Sequence, residues 1–337
     1  MARKNRIKET AAGAAFYHVM SRANNRQFLF ESAKVKDALV AALLRAAAFS
    51  GVEVEAYAVM DNHFHAVVKV TRTAADLALS GPVPVGDAPS EGPVPAADAS
   101  QTGPVPGAEP IPEAELLRRI EALKGAKARE EVEREWKELR EEGDDKRLEQ
   151  EQNRLRVRMN DVSEFVKTFK ETFDRFFKEE HEYCGSIWSG RFTSTLVEDG
   201  EYLSRCRKYV YFNPVRAGIV SRASKYRWVY DRDMGEVGGA AGPVPSGRLA
   251  PSARDEGPVP EAWLMRRVAQ IGAGKVFGSE AFVKRMAFGL GHLFAAKHVV
   301  ARPVGEIGFA THGWKLAKKQ EEQERLAKAG AEKTVAA

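Results

Sequence analysis

Apolar and polar positions alternate in a way that predicts a short list of elements at the two ends of a discontinuous region. Phe16 to Arg22 (FYHVMSR) predicts a strand. Val35 to Ala48 (VKDALVAALLRAAA) has helical periodicity and runs out near Gly51. Val52 to Met60 and His63 to Val70 predict two strands joined by a tight turn at Asp61-Asn62. Phe165, Phe169, Phe173, Phe176 and Phe177 form a helical stripe suited to packing on a sheet. Ser186 to Glu198 predicts a turn plus a strand, and Asp199 to Phe212 a helix that stops at Pro214. The order strand, helix, strand, strand, helix, strand, helix predicts an α+β fold. It is a ferredoxin-like or RRM-like four-stranded antiparallel sheet with helices on one face, built from residues 1–75 and 160–233.

Between and after these blocks the pattern fails. Residues 76–112 and 234–260 are rich in Gly, Pro and Ala, and Gly-Pro-Val-Pro begins at Gly81, Gly92, Gly103, Gly242 and Gly257. Proline at every second position blocks helix and interrupts a ladder, so both stretches are expected to be extended linkers. Gly-Pro-Val-Pro can be encoded by the self-complementary bases GGACCGGTCC followed by C and any base, so the five copies read either as palindromic elements inserted in frame or as linker expansion at the protein level. Residues 113–159 are dense in Glu, Lys and Arg and lack proline, which predicts one or two long exposed helices with a hairpin break near Gly143. Residues 261–337 are expected to form a small, mostly helical C-terminal region.

Composition narrows the classes. With 44% hydrophobic and 29% charged residues, the 337-residue chain can bury a core and is not broadly disordered. It contains no apolar run of about 18 residues, so no transmembrane helix is expected. The segment MARKNRIKET lacks the apolar core of a secretory signal, and two cysteines, Cys184 and Cys206, are too few for a disulfide scaffold. A reducing cytoplasmic location is expected. The net charge of +5 is unevenly spread: residues 1–30 carry six basic side chains against one acid, and residues 203–230 carry seven and no acid. Meeting on one face, they would bind phosphates; ordinary solvated charge is the competing reading.

His63-Phe64-His65 is the sharpest chemical feature. In a strand both imidazoles face one way, able to share a divalent cation, while Phe64 faces the opposite layer. Two half-exposed strand histidines are the plainer alternative. In Arg205 to Gly218 (RCRKYVYFNPVRAG), Tyr209 and Asn213 lie about 40° apart on a helix and share a face. Tyr211 is turned away, toward the core. A phenol beside a cation bound to His63, His65 and the Asn213 amide would be a candidate nucleophile, although its ordinary pKa near 10 demands activation.

YHVMSRANNR (17–26), AVMDNHFHAVV (58–68), GSIWSGRF (185–192) and YVYFNPVRAG (209–218) together resemble the single-tyrosine HUH transposases, most of all the REP-associated tyrosine transposases of bacteria. The likeness spans roughly residues 13–75 and 160–230 in the family's order. It implies that His63, His65 and Asn213 hold Mg²⁺ or Mn²⁺ and that Tyr209 attacks a scissile phosphate, giving a 5′-phosphotyrosine and a free 3′-hydroxyl. The implied activity is cleavage and rejoining of single-stranded or hairpin DNA, with a homodimer possible and no membrane partner. The linkers and the charged insertion depart from the family pattern without touching these positions.

Arg22, Arg26, Arg191, Arg205, Lys208 and Arg216 are candidate DNA contacts, with helix- or loop-surface charge an equal explanation. Trp188 and Phe192 suit either base stacking or burial under the sheet. Asn62 is placed to orient the turn before His63, and His18 reads as structural. A non-catalytic nucleic-acid-binding protein is the alternative function. A small metallohydrolase using His63 and His65 with an attacking water is a third.

Overall fold

The two central strands form because branched and aromatic residues alternate on either side of a turn that cannot continue either one. In the computed structural model, which describes residues 12–79, 110–236, 276–283, 286, 299–303 and 309–313, β1 is Gly13–Arg22, β2 is Val52–Val59 and β3 is His63–Arg72. Met60 donates to the His63 carbonyl across the Asp61-Asn62 turn, and β2 and β3 pair antiparallel. Along its full length β3 pairs with β1, Arg22 opposite His63 and Gly13 opposite Arg72. The strand β4, Thr193–Val197, joins the other edge of β1, also antiparallel.

The helices occupy both faces of this sheet, not one as expected. Helix α1 (Ala33–Ser50) starts where Ser32 Oγ accepts the Val35 N–H and ends at Gly51, whose φ of 66° is left-handed. A Cβ on Gly51 would lie 2.6 Å from Asn160 Oδ1, so glycine answers both the backbone conformation and the close approach. Four helices lie between α1 and its partner in sequence: α2 (Ala74–Leu79) and the three of the insertion described below. That partner is α6, Val162–His181, capped by Asp161 through the Ser163 and Glu164 N–H groups. Its Phe165, Phe169, Phe173 and Phe177 are buried with Leu39, Leu43, Phe64, Ala66 and Trp188 in the main core. The opposite face of the sheet is closed by α7, Glu201–Tyr211. Ala56, Ala58 and Val67 form the floor there, under Cys206, Val210 and Tyr211. The register of β2 slips between Val54 and Ala56, so the bulge carries Glu55 inward and exchanges the faces of the residues on either side.

The sheet is also wider than four strands. The described strands run in the order β6-β5-β2-β3-β1-β4-β7-β9-β8, with β5 (Val229–Asp231) and β6 (Gly235–Glu236) beyond β2. Beyond β4 lie β7 (Val276–Gly278), which is parallel to it, and then β9 (Phe309–Gly313) and β8 (Val299–Pro303). The described part of the expected helical C-terminal region therefore supplies strands that extend the sheet.

The charged insertion forms three helices, α3 (Glu113–Lys124), α4 (Ala126–Glu141) and α5 (Asp145–Arg156), broken at Gly125 and Gly143. Its sparse apolar positions are enough for a small core of Leu116, Leu117, Ile120, Trp136, Leu139 and Leu148, seated on Phe49 of α1. All five Gly-Pro-Val-Pro copies lie outside the described residues. Among the described residues no helix is long and apolar enough to cross a membrane.

Candidate active site

Strand β3 sends Phe64 into the main core at 1% exposure and turns His63 and His65 to the other face, the one that α7 covers. The two imidazole centroids are 5.0 Å apart. Helix α7 brings Tyr209 over them, its ring 5.7 Å from that of His65 and nearly perpendicular. His18 on β1 completes the floor, 5.9 Å from the Tyr209 ring. Tyr211 is buried too, at 1% exposure, with its ring against Phe212.

Pro214 does not end the helical course; it begins the single turn α8, Asn213–Arg216, in which its missing N–H costs nothing. Asn213 is 1% exposed, with Oδ1 3.5 Å from Arg216 and Nδ2 buried without a hydrogen-bond partner. The two ends of a carboxamide are interchangeable in shape. As placed, the oxygen faces Arg216 and the nitrogen lies on the Tyr209 side; turning the group over would give that side an oxygen but set the amide nitrogen against the guanidinium. The guanidinium of Arg216 lies 4.8 Å from the Tyr209 ring centroid.

The ring nitrogens carry further information. His63 Nδ1 is 2.7 Å from Asn62 Oδ1, while Asn62 Nδ2 donates to the Arg26 carbonyl at 3.3 Å. His65 Nδ1 is 3.0 Å from His18 Nε2. Both metal candidates thus have Nδ1 engaged and Nε2 left over. Burial holds all three imidazoles neutral: it takes His18 and His63 down to about 4 and His65 well below its ordinary value. The charges of Arg22 and Arg216 push His63 and His65 the same way. Neutral imidazole is the ligating form. Burial raises the Tyr209 phenol, and Arg216 and Asn213 act against that rise.

Among the described residues no group of three or more His, Cys, Asp or Glu side chains is arranged to hold a metal ion. His18 is close, but its Nε2 faces His65. A cation here would rest on two imidazoles and the Asn213 amide. Imidazole suits Zn²⁺, Cu²⁺, Fe²⁺ and Ni²⁺, and an amide oxygen suits Mg²⁺, Ca²⁺ and Mn²⁺, so this donor set is compatible with a divalent cation without selecting one.

The six basic candidates separate. Arg22 lies directly opposite His63, with a buried and unpartnered Nε, and Arg216 roofs Tyr209, so both reach the site. Arg26 is exposed in a left-handed turn beside Asn62, and Arg191 is exposed in the loop whose Ser189 bonds the Arg22 carbonyl. Lys208 is exposed next to Tyr209, and Arg205 pairs with Glu201. The basic run at 203–230 is not all surface. Arg207 is buried against Glu55 and Asp231, with Asp233 closing over it, and Arg227 pairs with Asp37. Trp188 and Phe192 are buried in the main core, as the packing reading expects. Sequence reasoning passed over the link between His18 and His65. Its one available signal was an outward parity shared by His18 and the His pair on adjacent strands.

No protein-family model matches the chain, and no curated protein matches it in sequence. Among solved structures, one of a REP-associated tyrosine transposase bound to a REP hairpin aligns over 75% of this chain and 98% of its own, with 13% identity and a TM-score of 0.36. A similarity at that level leaves family and function to the residues themselves.

Proposed function

We propose that the protein cleaves and rejoins single-stranded DNA, folded as a hairpin, through a covalent tyrosine–phosphate intermediate in the manner of the single-tyrosine HUH transposases. The observation that carries the reading is the contact of the Tyr209 ring with His65, at 5.7 Å between centroids. A phenol, two neutral imidazoles and a buried carboxamide on adjoining elements have no common structural purpose that apolar side chains would not serve better.

In this reading His63, His65 and Asn213 hold Mg²⁺ or Mn²⁺, which when bound polarises the scissile phosphate and offsets its developing charge. Arg22 and Arg216 draw the phosphate backbone in and orient it. Tyr209 Oη forms the new bond to phosphorus as the bond to the 3′-oxygen breaks, and the phenol's proton ends, net, on the departing oxygen. Arg216 above the ring favours the phenolate and so works against the burial that opposes it. The tyrosine ester conserves the phosphodiester, so the reverse attack by a 3′-hydroxyl needs no nucleotide cofactor. The exposed Arg26, Arg191 and Lys208 are assigned to the flanking strand, which the half-buried Arg205 joins only by exchanging Glu201 for a phosphate.

Labelled hairpin DNA from the flanks of the gene, incubated with the protein and Mn²⁺ or Mg²⁺, tests this on a denaturing protein gel. A labelled adduct that survives denaturation and disappears in Tyr209→Phe is expected. Hairpin binding without any adduct would transfer the protein to the non-catalytic binding class.

A further inference from the structure

His18 is a buried histidine on the neighbouring strand for which the proposed reaction has no use. It stands opposite Val67 on β3, so His65 is its diagonal cross-strand neighbour on the same face. Their nitrogens are 3.0 Å apart, their ring centroids 5.2 Å apart, and their planes differ by 15°. A centroid separation this long for so short a nitrogen–nitrogen distance means that the rings meet edge to edge. They share an in-plane hydrogen bond and do not stack face on face.

Such a bond has two arrangements. If His18 donates, the proton of neutral His65 sits on Nε2 and its lone pair is spent on His18. If His65 donates through Nδ1, its Nε2 keeps a lone pair toward the space under Tyr209. Only the second arrangement allows His65 to bind a cation. His63 has the matching device: the Asn62 oxygen is acceptor only, so it fixes the proton of neutral His63 on Nδ1.

We infer that His18 is a positioning residue that holds the ring of His65 and keeps its proton on Nδ1, as Asn62 does for His63, so that both Nε2 atoms are presented together. The inference rests on the proposed metal site for its purpose but not for its geometry. Outer partners of ligating histidines commonly set ring orientation and ligand basicity in this way.

The test uses the full-length protein labelled with ¹⁵N at histidine. Two-bond proton–nitrogen spectra of the metal-free protein report which nitrogen of His65 bears the proton, and Mn²⁺ titration followed by electron paramagnetic resonance reports affinity. The wild-type protein is expected to show His65 protonated on Nδ1. His18→Leu keeps apolar volume but offers no acceptor; it is expected to lose that single tautomer and to bind Mn²⁺ about 10- to 100-fold more weakly. His18→Gln, whose Oε1 can accept from Nδ1, is expected to restore both. A proton on His65 Nε2 in the wild type, or a folded His18→Leu with unchanged tautomer and affinity, overturns the inference. Wild-type protein that binds no Mn²⁺ sinks the metal site instead, and the nitrogen spectra then decide the role of His18 alone. If His18→Leu does not fold, as judged by circular dichroism, loss of the Nδ1 tautomer is sought in His18→Asn, whose shorter amide falls short of His65.

Discussion

Arg207→Met tests whether a buried charge network sets the height of α7, and with it Tyr209, over the sheet. The side chain of Arg207 is 10% exposed, and Glu55 and Asp231 are each 2% exposed. Its guanidinium is 3.0 Å from Asp231 Oδ1 and 3.6 Å from Glu55 Oε2. Methionine keeps the packing of the stem, so the loss isolates the charge. Removing one partner of a buried pair typically costs about 3–5 kcal/mol, because the other is left without compensation. Here Glu55 retains Arg232 at 2.5 Å and Asp231 retains the Asp233 N–H at 2.9 Å. The low end, about 3 kcal/mol, therefore applies, a fall in melting temperature of roughly 6–12 °C for a chain of this order of size. Urea unfolding should show a lower midpoint at unchanged slope. Adding Asp231→Asn should recover at least about 1 kcal/mol by removing the stranded charge. A loss below about 1 kcal/mol in the single variant, or no recovery in the double, would refute the reasoning and show the network to be solvated.

Other expectations are more local. Hydrogen bonds from Arg118 hold the Glu115 carboxyl down to about 2, with Arg119 adding to them against the effect of burial. A depressed carboxyl stabilises the fold above its unfolded value of about 4.5 and loses that contribution as pH falls toward 2. Discounted for the exposed Arg118, the loss is about 1–2 kcal/mol; hydrogen exchange across α3–α5 should report it, and Glu115→Gln should flatten it. Arg216→Gln should weaken hairpin DNA binding at low salt and reduce the slope of log affinity against log salt by about 0.7–0.9, measured by fluorescence anisotropy; an unchanged slope would remove Arg216 from the phosphate contacts. Phe64→Ala should cost about 3–5 kcal/mol in thermal unfolding, since it empties the main core behind the histidines. Finally, the gene should carry GGACCGGTCC at all five Gly-Pro-Val-Pro copies, and unrelated codon sets there would favour linker expansion.

Much of the candidate site's geometry was legible in the chain because it follows from two short-range periods. A two-residue repeat puts His63 and His65 on one side of β3 with Phe64 on the other, and a 3.6-residue repeat puts Tyr209 and Asn213 on one face while turning Tyr211 inward. The same logic found the phenylalanine stripe of α6. Turn chemistry located the Asp61-Asn62 reversal. These features need only neighbours within a few residues, so local physics is sufficient for them.

What only the tertiary structure decided depends on partners far apart in sequence. Which face a helix covers is settled by where small residues leave room, and Ala56 and Ala58 admit α7 opposite α1 and α6 only because the bulge at Glu55 turns them that way. Charge counting treated the run at 203–230 as one surface, yet Arg207 is neutralised by Glu55, from a strand about 150 residues earlier. The insertion looked solvated because each helix alone has too few apolar positions, and burial emerged when Trp136, Leu139 and Leu116 met on Phe49. The hydrogen bond between His18 and His65 is of the same kind. Strand pairing register is cooperative over the whole sheet, and no residue's own neighbours in the chain specify it.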